Sequence, residues 1–315
     1  GICSIGATAA AGLQNKFRGI EIIHAGSANT NQVVGNIISG IAHSSAYNAA
    51  LLSDAFFAAI KTGTGGTGKY IVTNNTIGSA TVAASITVSH SGTTENLANI
   101  SGIYDATGNN TEISGNNIAG IRIGGTGTAA SFYGILVNPA LSGNAVVKNN
   151  NIGTANAAIN HMQTGLYGIM GIDIRNTAGE ISGNTIQNIN LNSGKTSSAA
   201  FAGIYAAGST GLYLVSKNAV HSISNTAGTV NVKHYGLLLN ISDNNNVVEK
   251  NFIHSVEPGA NAVVTGIEAR AGRAVYKNNI TRFGISKAGT SITADHLIYV
   301  ILQNSPVKNN IFYYN

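Results

Sequence analysis

One short phrase recurs along the chain and constrains its fold more than any other feature. The phrase is an apolar residue, two variable residues, an asparagine, one further residue and then Ile or Val, as in VTNNTI (72–77), ISGNTI (181–186) and VSKNAV (215–220). Its asparagines are separated by 39, 41, 34, 34, 34, 33, 27 and 31 residues. Periods of roughly 20 to 50 residues are typical of repeat architectures. The recurring asparagines are Asn36, Asn75, Asn116, Asn150, Asn184, Asn218, Asn251, Asn278 and Asn309.

A second phrase, a small residue followed by Ile or Leu, precedes each asparagine by 12 to 17 residues. It occurs at Gly19, Ala59, Gly102, Gly134, Gly171, Gly203, Gly236 and Gly266, and Leu297-Ile298 takes this place in the last repeat. Each unit therefore holds at least two short strands, in which apolar and polar residues alternate as in Ile20, Glu21 and Ile22. A unit of this size cannot bury its own apolar face, so successive units are expected to stack into a solenoid.

In a stack of this kind, an asparagine at the same corner of every coil can bond the backbone of its own turn and the amide of the next coil. The pattern resembles the right-handed parallel β-helix family, the pectate-lyase-like superfold, and particularly the repeat-bearing secreted surface proteins of bacteria. The resemblance covers nearly the whole chain. It implies an all-β, right-handed parallel β-helix of about nine coils with variable loops, forming a single domain over residues 1–315, in which the nine asparagines form a ladder.

Charge is scarce in this chain. Only 9 % of the residues are charged, whereas an ordinary soluble domain carries roughly 25 %. The 39 glycines and the many Asn, Ser and Thr residues suit turns and strands better than long helices. A net charge of +5 without a basic run gives no reason to expect nucleic acid as a partner. No stretch approaches the ~18 apolar residues of a membrane span, so no membrane insertion is expected, and the single cysteine, Cys3, excludes an internal disulfide.

Two insertions and both ends depart from the repeat. Residues 40–58 and 78–99 lengthen two coils, and such insertions map to loops on one side of a solenoid. Within the first insertion, residues 45–61 could form a short helix. The segment CSIGAT (3–8) aligns with NTIGSA (75–80), which places Cys3 at the asparagine corner. The chain is therefore expected to start and stop in mid-coil, where open sheet edges would pair with further polypeptide or with another subunit.

The resemblance to polysaccharide-cleaving β-helices requires a search for catalytic acids. Hydrolases of this shape use Asp/Glu pairs roughly 5 to 9.5 Å apart, and the lyases, as the resemblance implies, use Asp clusters that hold calcium and an Arg or Lys base. Asp173 and Glu268 are predicted on one outward column but three coils apart, about 14 Å. No catalytic, cofactor or metal site is predicted. The predicted outward column reads Glu21, Lys61, Tyr104, Leu136, Asp173, Tyr205, Leu238, Glu268, Tyr299.

Four local motifs leave alternatives open. GTGGTGK (63–69) satisfies G-x-G-x-x-G and nearly satisfies the phosphate-loop pattern, but a strand-forming segment follows it instead of a helix, so a turn is expected. Asp173-Ile174-Arg175 and Glu268-Ala269-Arg270 could bind a sugar or supply a lyase base, or form local ion pairs. His221 and His254 should stack about 4.8 Å apart, either as a plain polar column or, with Glu257, as a metal site.

The sequence thus predicts a non-enzymatic structural or adhesive solenoid, located extracellularly on a bacterial cell surface. It would form part of a filament, sheath or adhesin stalk and assemble end to end with copies of itself, because such head-to-tail interfaces produce open fibres. No cofactor is expected, and a surface polysaccharide is a second candidate partner. The alternatives are a polysaccharide lyase or glycoside hydrolase of the same superfold, or a carbohydrate-binding module that uses its Tyr and Asn faces.

Overall fold

The computed structural model consists of parallel β-strands stacked into three sheets. It describes residues 3–6, 16–23, 30–46, 55–63, 68–92, 98–107, 110–127, 130–138, 143–208, 211–243, 245–292, 296–303 and 311–313. These residues contain no helix. Their strands are β1(Cys3–Gly6), β2(Phe17–Ile22), β3(Thr30–Val34), β4(Ile37–Ile38), β5(Ile41–Ser45), β6(Phe57–Thr62), β7(Lys69–Thr73), β8(Thr76–Gly78), β9(Ile86–His90), β10(Ala98–Asp105), β11(Thr111–Ser114), β12(Asn117–Ala119), β13(Ile121–Gly124), β14(Ala130–Val137), β15(Gly143–Lys148), β16(Asn151–Ile152), β17(Ile159–His161), β18(Ile169–Arg175), β19(Thr177–Ser182), β20(Thr185–Leu191), β21(Ala199–Gly208), β22(Tyr213–Ser216), β23(Ala219–Asn225), β24(Lys233–Ile241), β25(Asn246–Glu249), β26(Phe252–Pro258), β27(Val263–Ala271), β28(Ala274–Lys277), β29(Ile280–Arg282), β30(Leu297–Gln303) and β31(Ile311–Tyr313).

Each coil of the chain passes through the three sheets in turn. Sheet 1 is the 9-stranded sheet β2-β6-β10-β14-β18-β21-β24-β27-β30, and sheet 2 is the 9-stranded sheet β3-β7-β11-β15-β19-β22-β25-β28-β31. Sheet 3 holds the other 13 strands. Successive coils pair in parallel throughout, as between β14 and β18. The prediction of an all-β parallel β-helix is therefore confirmed, and nine strands in each of sheets 1 and 2 match the expected nine coils. Parallel crossovers are right-handed as a general rule, and the right-handed sense of this helix stays a prediction.

Apolar side chains form continuous columns inside the stack because identical strand positions pair from coil to coil. In sheet 1, Phe132 pairs with Ile169, which pairs with Phe201, and all three side chains are 0 % exposed. Fully burying one such side chain stabilises the fold by about 1.5–3 kcal/mol. The core therefore depends on neighbouring coils, as the repeat predicted.

The small residue of the second phrase allows sheet 1 to bend tightly against sheet 3. A methyl group at Gly134 would lie 2.6 Å from the carbonyl oxygen of Gly171 and 2.8 Å from Cγ2 of Ile152, so any larger side chain there would force the coils apart. The same position in the last coil is Val300, whose carbonyl lies 2.6 Å from a methyl group placed at Gly266. The assignment of Leu297-Ile298 to this position is therefore wrong by three residues.

The first insertion contains regular sheet structure at both of its ends. Residues 41–45 form β5 and residues 57–62 form β6, so the helix predicted for 45–61 is wrong at Phe57 and beyond, while residues 47–54 lie outside the described part of the chain. The strand β5 pairs with β1 and places Cys3 opposite Ile41. Cys3 therefore lies beyond the asparagine corner, and the alignment of CSIGAT with NTIGSA is incorrect.

The second insertion also continues sheet 3. Within residues 78–99, strand β9 pairs with β5 on one side and with β13 on the other, and residues 79–85 form the turn that precedes it. Early coils thus pass through sheet 3 as two short strands, whereas later coils do so as one longer strand, such as β20.

Candidate functional site

The recurring asparagines lie one above another at the corner between sheets 2 and 3. At each step an asparagine donates from both Nδ2 and its backbone N–H to Oδ1 of the asparagine in the next coil, as from Asn116 to Asn150 at 2.9 and 3.0 Å. Nδ2 of Asn150 donates back to the carbonyl oxygen of Ile113 at 2.9 Å. Asn116 and Asn150 are 0 % exposed. The ladder thus satisfies a buried amide, which would otherwise be costly, by joining adjacent coils.

One of the predicted ladder positions is wrong by one residue. Asn251 donates to Oδ1 of Asn279 at 2.9 and 3.1 Å, so Asn279 and not Asn278 belongs to the ladder. The repeat phrase misled because Tyr276, and not Val275, pairs with the inward-facing Val248. Asn309 lies outside the described residues. The ladder observed in the described residues runs through Asn36, Asn75, Asn116, Asn150, Asn184, Asn218, Asn251 and Asn279.

The residue before each ladder asparagine has a left-handed backbone conformation. Glycine and asparagine adopt it readily, but two lysines do so as well, Lys217 at φ 57° and Lys250 at φ 56°. Asn278 has φ 55° and therefore occupies this position, not that of the ladder. The full set is Gly35, Asn74, Gly115, Asn149, Gly183, Lys217, Lys250 and Asn278.

The outer face of sheet 1 carries two columns of side chains. The second column begins at Glu21 and follows the order predicted for the outward column as far as Glu268. Its last member is Leu302 and not Tyr299, because the bend of the last coil is at Val300. Tyr299 lies in the first column, opposite Thr265. The first column is Arg18, Ala58, Ser101, Tyr133, Met170, Ala202, Tyr235, Thr265 and Tyr299.

Most side chains on this outer face are buried, which the strand alternation did not predict. Tyr104 is 1 % exposed, and Leu136 and Leu238 are each 3 % exposed. They belong to two apolar clusters outside the main core. The half-buried Met170 packs against both clusters. Tyr104 and Tyr299 therefore do not form an exposed aromatic row with Tyr205.

Asp173 and Arg175 form a bidentate ion pair on this face. Nε and Nη2 of Arg175 donate to the two carboxylate oxygens of Asp173 at 2.9 and 2.7 Å. Asp173 is 0 % exposed, and its burial raises the pKa of the carboxyl, while the hydrogen bond and charge of Arg175 act in the opposite direction. The guanidinium carbon of Arg175 also lies 5.7 Å from the ring centre of Tyr205. This carboxylate is engaged on both oxygens and is shielded from solvent.

Glu268 and Arg270 repeat this arrangement three coils later. Nε of Arg270 donates to Oε1 of Glu268 at 2.7 Å, and its Nη2 donates to the hydroxyl of Tyr235 at 3.3 Å. Burial, followed by the charge of Glu268, raises the pKa of Tyr235 to about 12, so its hydroxyl stays protonated. Both acid–arginine phrases are therefore observed as local ion pairs.

The separation of these carboxylates argues against glycoside hydrolysis by a pair of acids. Asp173 pairs with Tyr205, and two further coils separate Tyr205 from Glu268. Three steps of about 4.8 Å place the carboxylates about 14 Å apart, beyond the roughly 5 to 9.5 Å that hydrolases use. Nearer the start of the sheet, Glu21 pairs with Lys61 at 3.0 Å. The second column thus holds charges as neutralised pairs.

An open cleft lies at the end of sheet 1 near the last described coils. Its volume is about 550 Å³, within the range of small-molecule sites. Aromatic, acidic and basic side chains meet there, which is a combination that can stack on and hydrogen-bond a polar ring. The lining residues include Lys233, Tyr235, Thr265, Glu268, Arg270 and Tyr299. Sequence reasoning missed the cleft because it placed Tyr299 in the other column.

His221 and His254 stack on the outer face of sheet 3, as predicted. Their ring centres are 4.7 Å apart and the ring planes differ by 5°. Among the described residues, no group of three or more His, Cys, Asp and Glu side chains is placed to hold a metal ion. The structure therefore brings the two imidazoles together but does not add Glu257 as a third ligand.

The glycine-rich motif at 63–69 continues directly into a strand. Residues 64–67 lie outside the described part of the chain, and Lys69 begins β7, so no helix N-terminus follows to bind a phosphate. The described residues also contain no helix that is long and apolar enough to cross a membrane.

Comparison with known proteins gives no relative for this chain. No family model, no curated protein and no solved structure matches it.

Proposed function

We propose that this protein is a non-enzymatic structural solenoid of the extracellular bacterial surface, and that it assembles end to end as part of a filament, sheath or adhesin stalk. The proposal depends chiefly on one observation, the exposure of the inward columns of sheet 1 in its first and last described coils. Phe132 is 0 % exposed inside the stack, whereas Ile298 of the same column is 44 % exposed. At the other end of that column Phe17 is only half-buried.

A second copy of the chain is the occupant that these two ends fit best. Among the described residues of sheet 1, β2 and β30 are each hydrogen-bonded to a strand on one side only, and the columns that reach Ile298 and Ile301 begin at Phe17 and Ile20. A copy stacked head to tail in the same register would continue both columns and pair the open edges. The interface is heterologous, so it would extend into a fibre and not close into a dimer.

The charged groups support a structural role over a catalytic one. Asp173 is held by Arg175 and Glu268 by Arg270, while Glu112 and Glu249 of sheet 2 pair with Lys148 and Lys277. A general acid or base must be within reach of a substrate proton and tuned towards the working pH. Carboxylates that are held in ion pairs serve instead to neutralise columns in which like charges would repel.

Carbohydrate binding is a second candidate function, and the cleft at Tyr235 favours it. This cleft is lined by Tyr235, Tyr299 and Lys233 among others. Tyr235 is only 3 % exposed and Arg270 lies over its ring. A sugar ring would therefore stack on the half-buried Tyr299 and accept hydrogen bonds from Lys233 and Arg270. This activity is compatible with a stalk that adheres to a surface polysaccharide.

Sedimentation velocity over a range of concentrations, with electron microscopy of the same samples, tests the assembly proposal. We expect particles that lengthen with concentration, and we expect Ile298→Lys to prevent this by placing a charge in the apolar column. Leu212→Lys is the matched control, because Leu212 is a 54 % exposed residue between β21 and β22, the sixth of the nine strands in sheets 1 and 2. A chain that stays monomeric at every concentration, or equal effects of the two variants, would overturn the proposal.

Titration with neutral and acidic oligosaccharides tests the cleft separately. Tyr299→Ala and Lys233→Gln should each weaken glycan binding, because both side chains line the cleft. Glycan binding that both substitutions leave unchanged would rule out the cleft as the binding site.

A further inference from the structure

A row of basic side chains crosses three coils on the outer face of sheet 3. Gln187 pairs with His221, His221 with His254 and His254 with Arg282. The adjacent residues Val220 and Ile253 are 0 % exposed and point into the core. The row therefore faces outward, on a different side of the solenoid from the cleft of sheet 1.

Both imidazoles are held in the same orientation by the serine that follows them. Nδ1 of His221 lies 3.0 Å from Oγ of Ser222, and Nδ1 of His254 lies 3.0 Å from Oγ of Ser255. Each serine has a left-handed backbone, with φ 57° and 51°, a conformation that costs a non-glycine residue roughly 1–3 kcal/mol. The same strained His-Ser arrangement occurs in two successive coils, and it leaves both Nε2 atoms to face away from the serines.

Positive charge lies at both ends of this row. The guanidinium of Arg282 occupies the next coil beyond His254, and the ammonium of Lys287 hydrogen-bonds Oδ1 of Asn188, the residue after Gln187. Burial and then the charge of Arg282 lower the pKa of His254. Burial and then His254 lower the pKa of His221. The imidazoles are therefore neutral at pH 7 and become charged when acid or an anion stabilises their protonated form.

Acidic groups are scarce around the row. Glu257 is the one carboxylate on strands β20, β23, β26 and β29, and it lies three residues beyond His254, past the left-handed Ser255. The row also has neutral neighbours, Gln187 and Phe252, and the ring centre of Phe252 is 4.4 Å from that of His254. No carboxylate therefore occupies the position between the two imidazoles.

The spacing of the rings distinguishes a metal ion from an anion. The rings are parallel and equally oriented, so their Nε2 atoms are separated by about the 4.7 Å of the ring centres. Two zinc–nitrogen bonds of about 2.1 Å span at most ~4.2 Å, which is too short. An oxyanion instead carries several oxygens, and two of them can each accept a charge-assisted hydrogen bond of about 2.8 Å from one ring, so one anion can bridge both imidazoles.

We propose that His221, His254 and Arg282 form a binding site for one oxyanionic group, a sulfate, phosphate or carboxylate. Both imidazoles donate from Nε2 and the guanidinium completes the site, in the manner in which paired basic side chains bind planar and tetrahedral anions. The anion is either free in solution or carried by an acidic polymer that lies along the solenoid. The site does not depend on the end-to-end assembly proposed above, although Arg282 lies on β29, the last described strand of sheet 3, which a copy stacked on that end would pair.

Calorimetric titration of the full chain with inorganic sulfate at about pH 5.5 and pH 7.5 tests the proposal. We expect the dissociation constant to be about tenfold lower at the lower pH, because the imidazoles are then protonated. The double variant His221→Gln and His254→Gln should weaken binding at about pH 5.5 by about tenfold or more, since it removes two charged donors. Arg122→Gln is the matched control, because Arg122 is an exposed arginine of the same sheet outside the row, and it should change binding by less than about twofold.

Further arms separate the sources of the anion and the competing ligand. Dextran sulfate should compete with inorganic sulfate, and neutral dextran should not. If dextran sulfate binds more tightly per sulfate group than inorganic sulfate, the natural ligand is a polymer. If the two bind equally, the natural ligand is a free ion. Sulfate binding that is independent of pH, or an equal loss in Arg122→Gln, would overturn the proposal. Zinc binding that the double variant abolishes would also overturn it, because the rings would then have rotated to hold a metal.

Discussion

The two corners that border sheet 3 bury polar side chains in different ways. At the corner with sheet 2, one residue type repeats, and its bonds are the same in every coil: Asn150 receives two hydrogen bonds from Asn116 and Asn184 receives two from Asn150. At the corner with sheet 1, buried polar residues differ from coil to coil. They include His43, His90, His161 and His234, each at most 2 % exposed.

Two of these buried histidines, His161 and His234, are each held by contacts of their own. Nε2 of His161 contacts the carbonyl oxygen of Ala130 at 2.7 Å, and its ring stacks on Tyr167 at 3.7 Å. Nε2 of His234 lies 3.0 Å from Nδ2 of Asn225. The loops at this corner vary in length, so no common position exists at which one side chain could bridge all coils.

The difference shows what uniform coil geometry provides. Where every coil turns in the same way, one amide serves as both donor and acceptor to its neighbours, and stabilisation accumulates along the stack. Where the turn varies, each polar group needs its own partner and is buried neutral. The first corner should therefore be sensitive to single substitutions, and the second to acid.

Substitution in the middle of the ladder should have the largest effect. Asn150→Ala removes the acceptor of two bonds from Asn116 and the donor to Ile113, and leaves buried groups unpaired at about 1–3 kcal/mol each. We expect the free energy of unfolding to fall by about 3–5 kcal/mol, as measured by urea denaturation.

Asn151→Ala is the matched control for this prediction. Asn151 is the next residue and donates one partly buried bond to Asn117 at 2.9 Å, so its loss should cost less than about 1 kcal/mol. Equal costs for the two variants would show that the ladder contributes no more than a surface amide pair.

Acid should weaken the other corner. Burial lowers the pKa of His161 to about 3 and that of His234 to about 4, whereas an unfolded chain has a histidine pKa of about 6.5. The unfolded state therefore binds more protons below pH 6.5, so the stabilisation is fully present above that pH and is lost as the pH falls. Each histidine contributes a slope of up to about 1.4 kcal/mol per pH unit.

Denaturation by urea at several pH values between about 6.5 and 5 measures this slope before most carboxylates titrate. His161→Gln, whose amide can still donate to Ala130, should reduce the slope by about one proton. A slope that is unchanged in this variant would show that His161 is not buried neutral.

The two adjacent asparagines near the end of the ladder should differ. Asn279→Ala removes the acceptor of two bonds from Asn251 and should cost about 2–3 kcal/mol. Asn278→Ala only replaces a side chain at φ 55° by one that tolerates this conformation less well, at about 1 kcal/mol. Thermal unfolding of both variants checks the order, and the reverse order would restore Asn278 to the ladder.

Relief of backbone strain at the ladder corner should give the smallest effect. Lys250→Gly replaces a lysine at φ 56° by the residue that adopts this conformation freely, and the gain is partly offset by the flexibility of glycine in the unfolded chain. We expect stabilisation of about 0.5–1 kcal/mol in urea denaturation. Destabilisation would indicate that the lysine side chain contributes more than its backbone costs.

The sequence predicted the regular corner well because repetition marks it. Parallel sheets and the stacking of His221 on His254 also follow from the coil register. Asn278 was chosen over Asn279 because only Asn278 satisfies the phrase, since Ile280 follows it by two residues whereas Thr281 follows Asn279. The pairing of Tyr276 with Val248 shows that Asn279 holds the ladder position.

Features that do not repeat from coil to coil were harder to predict from the sequence. His43 shares the inward alternation of Ile41 and Ser45, a signal that was available but is weak for a polar residue. Burial on the outer face of sheet 1 was not predicted because alternate strand positions usually face solvent. Its signal was the run of Tyr, Leu, Ala and Met in these columns, which suits a packed surface. The ion pairs of Asp173 and Glu268 depend on side-chain orientation, which spacing alone does not fix.

The parallel register of the coils also determines how the molecule would carry a mechanical load. Hydrogen bonds between parallel strands run across the strands, and in this fold that direction is the long axis. At the boundary between the coils of Asn116 and Asn150, tension along the axis would act on the bonds of three sheets and of the ladder at the same moment. The bonds would share the load and not open one after another, so the solenoid should resist stretching at each boundary with the combined strength of a whole coil.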